Sequence, residues 1–182
     1  MRSLWQLWDS GIPEEKIDSL VEFASQLPEQ TATTFGSTTA PPPEVRSSTV
    51  RWIHNEDIRD NLWHFINEAN TESLGVEVMN RAEMQYTEYH ADANGHYNWH
   101  NDVDWTSPKL IDRKLSLTVQ LSNPEDYEGG DFEFKDAPMP PPTLKKKGAV
   151  LVFPSHLYHR VTPVTMGTRL SLVAWFYGPR WR

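Results

Sequence analysis

The spacing of apolar residues divides the chain into a helical N-terminal part and a longer β part. Ile17, Leu20, Val21, Ala24 and Leu27 fall on one helical stripe, opened by Pro13-Glu14-Glu15 and closed before Pro28. A second stripe, Ile58, Leu62, Phe65, Ile66 and Ala69, follows Asn55, which suits an N-cap. Between them, residues 30–48 are rich in Thr, Ser and Pro and read as a surface loop. From Val76 onward the pattern becomes extended, with strands predicted at 76–79, 83–89, 114–121, 132–134, 149–153, 157–161 and 169–177. Turn residues fill 92–95, 123–130 and 136–148. Many short strands without interleaved helices predict a mainly β sandwich or barrel with the helices packed outside. No internal repeat is present.

Composition narrows the chemistry. The 182 residues fit one domain, 1–182. Cysteine is absent, which excludes disulfides, thiolate nucleophiles, Fe–S clusters and Cys-ligated zinc, so any metal must sit on nitrogen and oxygen. The formal charge of −8 argues against a nucleic-acid partner. No apolar run suits a signal peptide or a membrane span, so a soluble, cytoplasmic protein is expected.

Five of the seven histidines lie between residues 90 and 159. In an extended chain, His100 and Asp102 share a face and can hold one metal ion. His90-Ala91-Asp92 repeats the pattern but runs into Asp92-Ala93-Asn94-Gly95, so His90 is read as a solvated loop histidine. A third ligand is available from Ser155-His156-Leu157-Tyr158-His159, and two His plus one carboxylate is the donor set of non-haem Fe(II) oxygenases. His156 and His159 compete for this place. Arg169, ten residues beyond His159, favours the latter, because antiparallel strands turning at Met166-Gly167 would bring guanidinium and imidazole together. Ser171 shares the face of Arg169, and an Arg fork with a hydroxyl suits a carboxylate. Leu170, Leu172, Ala174 and Phe176 form the other face of that strand.

Three stretches together resemble the 2-oxoglutarate- and Fe(II)-dependent oxygenases of the prolyl 4-hydroxylase-like branch, bacterial and phage members above all. They are Tyr97-Asn98-Trp99-His100-Asn101-Asp102, Glu128-Gly129-Gly130-Asp131-Phe132, and His159-Arg160-Val161-Thr162-Pro163-Val164 followed by Arg169-Leu170-Ser171. The resemblance covers roughly residues 75–180. It implies a distorted double-stranded β-helix (jelly roll, cupin-like) as a catalytic core over 75–182, supported by a helical and loop region over 1–74. It implies iron on His100, Asp102 and His159, and the distal carboxylate of 2-oxoglutarate on Arg169 with Ser171. Tyr89 matches a cosubstrate-contacting tyrosine, with Tyr86 and Tyr97 as alternatives, and Gln120 stands where some relatives carry a second tyrosine. The implied reaction consumes O2 and 2-oxoglutarate, releases succinate and CO2 and hydroxylates a C–H bond, with ascorbate as an accessory reductant.

The resemblance makes a prolyl residue of a peptide or protein the leading substrate, followed by a small molecule such as a free amino acid. A non-catalytic jelly-roll module binding a metal, a carboxylate or a partner protein is the alternative. Other features read as structural: Gly129-Gly130 as a hairpin turn, Lys145-Lys146-Lys147 as a solvated turn, His54 and His64 in the helical region, and Trp99, Trp105 and Trp175 as core. The 30–48 loop and the Pro-rich 136–142 segment are candidate lids.

Overall fold

The computed structural model describes residues 3–32 and 41–182. Among them, strands form two sheets. The large sheet runs in the order β1 (Gln6–Trp8), β10 (Val150–Pro154), β7 (Ile111–Gln120), β12 (Val164–Pro179), β5 (Ala82–His90), β4 (Thr49–Ile53) and β2 (Gln30–Thr31). The strand β8 (Tyr127–Gly129) adds to the first residues of β12. The small sheet runs β3 (Arg46–Ser47), β6 (His96–His100), β11 (His159–Val161) and β9 (Phe132–Phe134). Every pairing is antiparallel.

Two helices, α1 (Glu14–Ser25) and α2 (Glu56–Ala69), pack on one face of the large sheet. Asn55 caps α2 as expected, its side chain accepting from the Ile58 amide at 3.0 Å. Strand alternation then sorts the large sheet by chemistry. Met84, Tyr86, Leu115, Leu117, Val119, Leu172, Ala174 and Phe176 point toward the helices and, with Ile17, Leu62 and Ile66, make the hydrocarbon core. The intervening residues, Gln85, Thr87, Ser116, Thr118, Gln120, Arg169 and Ser171, are equally buried but polar. Burying that many hydrogen-bonding groups is costly unless each finds a partner, so this second face is where a site is expected.

Several expectations change. Residues 1–74 supply β1 to β4 as well as helices and loop. Residues 30–48 include β2 and β3, with 33–40 outside the described residues. Residues 76–79 form no strand, because the Asn70 amide takes both the carbonyl and the N–H of Val76, at 2.8 Å each. Most consequentially, β11 and β12 are not a hairpin. The chain turns at Thr162-Pro163, leaving β11 in the small sheet and carrying β12 across to the large one.

Candidate active site

The strand β6 carries one extra residue against β11: His159 pairs with His100 and Val161 with Tyr97, two steps against three. This β-bulge directs both Tyr97 and His100 inward and leaves Asn98 and Trp99 exposed. Trp99, expected in the core, lies outside with Arg160 over its ring at 4.6 Å, and Trp105, also expected in the core, is exposed as well. Just past the strand, the Asn101 side chain accepts from the Val103 amide at 3.0 Å, and the Asp102 amide donates to the Ser155 carbonyl at 2.8 Å. These two bonds turn the Asp102 carboxylate into the interior, where it is only 4% exposed.

There His100, Asp102 and His159 converge, their donor atoms all within 4.8 Å of one another. His100 Nε2 stands 3.7 Å from Asp102 Oδ1, and His159 Nε2 stands 3.6 Å from Asp102 Oδ2. Each imidazole donates its Nδ1–H to a carbonyl, His100 to Asn98 at 2.7 Å and His159 to Leu157 at 2.9 Å. The carbonyl partners fix the tautomer and leave both Nε2 lone pairs facing Asp102. Ser116 Oγ donates to Asp102 Oδ2 at 2.7 Å and lies 2.9 Å from Ser155 Oγ. Burial, reinforced by the neighbouring His159, pushes the His100 pKa down to about 3. Burial alone would raise Asp102, but the two imidazoles, Arg113 and the Ser116 bond outweigh it and hold the carboxyl below its ordinary value. Two imidazoles presenting Nε2 beside a carboxylate form a donor set suited to a divalent cation with open positions.

Aromatic rings wall the site. Phe132 lies nearly parallel to His159 at 5.3 Å, and Phe153 meets it edge-on at 4.8 Å. Across the sandwich, Arg169 is 4% exposed and sits opposite Tyr89 on β5, its Cζ 5.5 Å from that ring. Among the described residues, no carboxylate pairs with Arg169. The buried Ser171 hydroxyl has no hydrogen-bond partner among them either. Triad, Arg169, Ser171 and Tyr89 line one narrow cavity of about 30 Å³, joined by Tyr97, Val173 and Trp175. Arg169 and Phe132 also line a larger cavity of about 370 Å³ with Gln120, Tyr127, Lys145 and the Pro140–Pro142 run. The Pro-rich segment thus forms a wall of that cavity, held by the Trp5 indole N–H donating to the Pro138 carbonyl at 2.7 Å. Lys145 is not simply solvated, since it bonds Asp131 at 2.7 Å and the Gly129 carbonyl at 3.1 Å.

The alternatives resolve by strand parity. Tyr86 is three residues from Tyr89 and therefore points into the helix-side core, whereas Tyr89 and Tyr97 both reach the cavity. His156 is exposed, edge-on to Trp181 at 5.0 Å. His90 ends a strand instead of sitting in a loop, bonded to Thr168 Oγ1 and Glu88 Oε2 at 3.0 Å each and apart from the triad. Gln120 donates to the Tyr127 hydroxyl at 3.0 Å, so a tyrosine from β8 reaches the Arg169 end of the site. Tyr127, Ser116, Ser155 and Arg46 were missed by the sequence reading. Ser116, Thr118 and Gln120 did carry a signal, alternating with Leu115, Leu117 and Val119 in a strand otherwise apolar enough to be buried.

A family model described as the 2OG-Fe(II) oxygenase superfamily matches residues 84–177, just over half of the chain. The chain belongs to that superfamily, whose cofactor pair is Fe(II) and 2-oxoglutarate, with O2 as the oxidant. It is 41% identical over 61 residues to a PKHD-type hydroxylase of Idiomarina loihiensis, covering 34% of this chain and 28% of that protein. It is 37% identical over 89 residues to one of Azoarcus, covering 47% and 39%. The matched regions thus span less than two-fifths of these relatives' lengths. In fold it resembles a Pseudomonas putida prolyl-4-hydroxylase, with TM-score 0.73, 20% identity and coverage of 98% and 94%. It also resembles the viral collagen prolyl hydroxylase of Paramecium bursaria Chlorella virus-1 in its 2-oxoglutarate complex, with TM-score 0.68, 20% identity and 97% coverage of both chains. The sandwich is therefore the double-stranded β-helix of prolyl hydroxylases. The cluster fits the implied pair: three N and O donors for the metal and, among the described residues, a buried guanidinium without a carboxylate partner and an orphaned hydroxyl for a carboxylate.

Proposed function

We propose that this chain is an Fe(II)- and 2-oxoglutarate-dependent hydroxylase in which His100, Asp102 and His159 hold the metal. In this reading Arg169 takes the distal carboxylate of 2-oxoglutarate as a fork, Ser171 donates its free hydroxyl to the same group, and Tyr89 packs alongside. The observation that carries the reading is one cavity lined by both a metal-ready triad and an arginine that no carboxylate pairs with among the described residues. When bound, the iron–2-oxoglutarate pair would use O2 to hydroxylate a C–H bond, one oxygen atom entering the product and the other succinate, with CO2 released. The chain's own residues orient and protect. The two carbonyls hold the imidazoles in the ligating tautomer, Ser116 steadies the carboxylate, and Phe132 and Phe153 keep water from His159.

A prolyl residue in a peptide is the substrate this reading favours. Support comes from the solved structures of like fold, which include a Trichoplax adhaerens prolyl hydroxylase in complex with a hypoxia inducible factor peptide fragment, TM-score 0.70 at 14% identity. Among the described residues no helix is long and apolar enough to cross a membrane. Adding Fe(II) and 2-oxoglutarate to purified protein without oxygen should give a visible charge-transfer band, and admitting oxygen should give succinate. Proline-containing peptides that gain one oxygen atom by mass would establish the substrate class. Neither band nor succinate would leave the non-catalytic module as the better account.

A further inference from the structure

The triad cavity contains a second buried guanidinium. Arg46, on the edge strand β3, is 7% exposed and lines the same cavity as His100, Asp102 and Arg169. Its Nε donates to Ser48 Oγ at 2.7 Å and one Nη to Gln85 Oε1 at 2.8 Å, both neutral acceptors, while its Cζ stacks 4.5 Å from the Tyr97 ring centroid. Among the described residues no carboxylate pairs with it, and residues 33–40 contain no Asp or Glu. A buried charge without a counter-charge is strongly disfavoured, so such a group usually marks the place of an anion.

The position separates this arginine from Arg169. Gln85, which Arg46 holds, pairs with Val173, four residues along β12 from Arg169, or about 13 Å at a strand rise of about 3.3 Å per residue. Arg46 itself pairs with Tyr97, beside His100. The two arginines are therefore anchored on different sheets and at different registers, and their side chains enter one cavity from separate backbone positions. Gln85 offers a further donor, because its oxygen is committed to Arg46 while its Nε2 makes no hydrogen bond among the described residues.

We infer that Arg46 and Gln85 form a second carboxylate anchor, separate from Arg169, which takes an anionic group on the molecule to be hydroxylated. The inference rests on the hydroxylase reading above but departs from it on the substrate, moving from a prolyl residue within a peptide to a residue that carries a free carboxylate. A proline in mid-peptide has no carboxylate of its own, whereas a free amino acid or a chain-terminal residue carries one within a few bonds of its side-chain carbons. The fitting substrate is thus a small carboxylate-bearing molecule or a peptide end.

The test uses the 182-residue chain loaded with Mn(II) and saturated with 2-oxoglutarate under argon. Formate is then added at constant ionic strength, with formamide as the neutral counterpart, and binding is read by thermal shift and tryptophan fluorescence. Wild type should show a second, saturable response to formate alone. Arg46→Gln should weaken that response at least tenfold and change 2-oxoglutarate affinity less than threefold, whereas Arg46→Lys should retain it within about fivefold. Gln85→Glu, which hands Arg46 a fixed carboxylate, should abolish the response even if Arg46→Gln does not fold. No formate response in wild type, or one that survives both Arg46→Gln and Gln85→Glu, would overturn the inference. So would a tenfold loss of 2-oxoglutarate affinity in Arg46→Gln without a separate formate site, since Arg46 would then belong to the cosubstrate. If 2-oxoglutarate does not bind the Mn(II) protein at all, the hydroxylase reading fails. The formate titration on Mn(II) protein then decides the role of Arg46 alone.

Discussion

The phenol ring of Tyr97 lies flat against the His100 imidazole, with centroids 3.5 Å apart and planes 12° from parallel. Together with the Asn98 carbonyl, this contact fixes the ring plane of a proposed metal ligand. Tyr97→Phe keeps the stack and should keep Mn(II) affinity within about threefold, whereas Tyr97→Ala should lower it roughly tenfold. Equilibrium Mn(II) titration followed by EPR checks both.

Ser116 is the only hydroxyl on β7 that bonds Asp102 among the described residues. Ser116→Ala leaves Asp102 Oδ2 and Ser155 Oγ each short of a buried partner. Metal affinity should fall roughly 10–100-fold, and the apo protein should lose about 1–3 kcal/mol. Chemical denaturation and Mn(II) titration of the same preparation separate the two effects.

Gly130 has φ +59°, and a Cβ built there would come 2.8 Å from Arg169 Cδ. Gly130→Ala therefore displaces the arginine without altering any charge. Affinity for 2-oxoglutarate should drop on the order of tenfold, roughly the loss of one charge-assisted hydrogen bond, while Mn(II) affinity stays unchanged. Arg169→Gln should lose more than Gly130→Ala. Calorimetry of 2-oxoglutarate binding to Mn(II)-loaded variants ranks them, and equal affinities for wild type and Arg169→Gln would dismiss Arg169 as the anchor.

Acid should destabilise the apo protein through His100. As pH falls through 6.5 the unfolded chain takes up a proton at this residue, while the folded chain resists until about 3. The unfolded state thus binds more protons across that window, and stability declines as pH drops through it. Asp102, held below its ordinary value, adds a loss in the same direction at lower pH. Melting temperatures between pH 7.5 and 5.0 should fall more steeply in wild type than in His100→Gln, and parallel curves would count against this account.

His90→Ala offers the complementary control. It removes bonds to Thr168 and Glu88 at a partly exposed site and should cost no more than about 1 kcal/mol, leaving Mn(II) affinity intact. His100→Ala should abolish Mn(II) binding. The reverse result would assign the metal to the other His-x-Asp pair.

Local pattern made part of this legible. Alternation along β12 separated Arg169 and Ser171 from Leu170 and Leu172, and the two sets do face the cavity and the helices. The proximity of His100, Asp102 and His159 was also foreseen, although by a different geometry. The expected hairpin placed Arg169 beside His159 within one sheet, whereas the chain sets the two on facing sheets. Periodicity reports which way a side chain points but not which distant strand lies beside it. That is why β1, which pairs Gln6 with Val152, left no recognisable trace. The bulge in β6 was hidden for a related reason, because an extra residue is visible only against the partner strand. Arg46 sits in a segment whose Pro and Thr content signals nothing but loop.

The division between the two sheets has a mechanical consequence. The proposed metal ligands belong to the small sheet or the turn that leaves it, whereas Arg169 and Ser171 belong to the large sheet, whose outer face is braced by both helices. A dicarboxylate chelated at one end and salt-bridged at the other would act as a rivet between the two layers. The small sheet, built from strands of two to five residues, has the weaker claim to independent order. Occupancy and cohesion would then be one equilibrium, in which a loaded site would hold the layers together and release of the cosubstrate would loosen the thinner layer first.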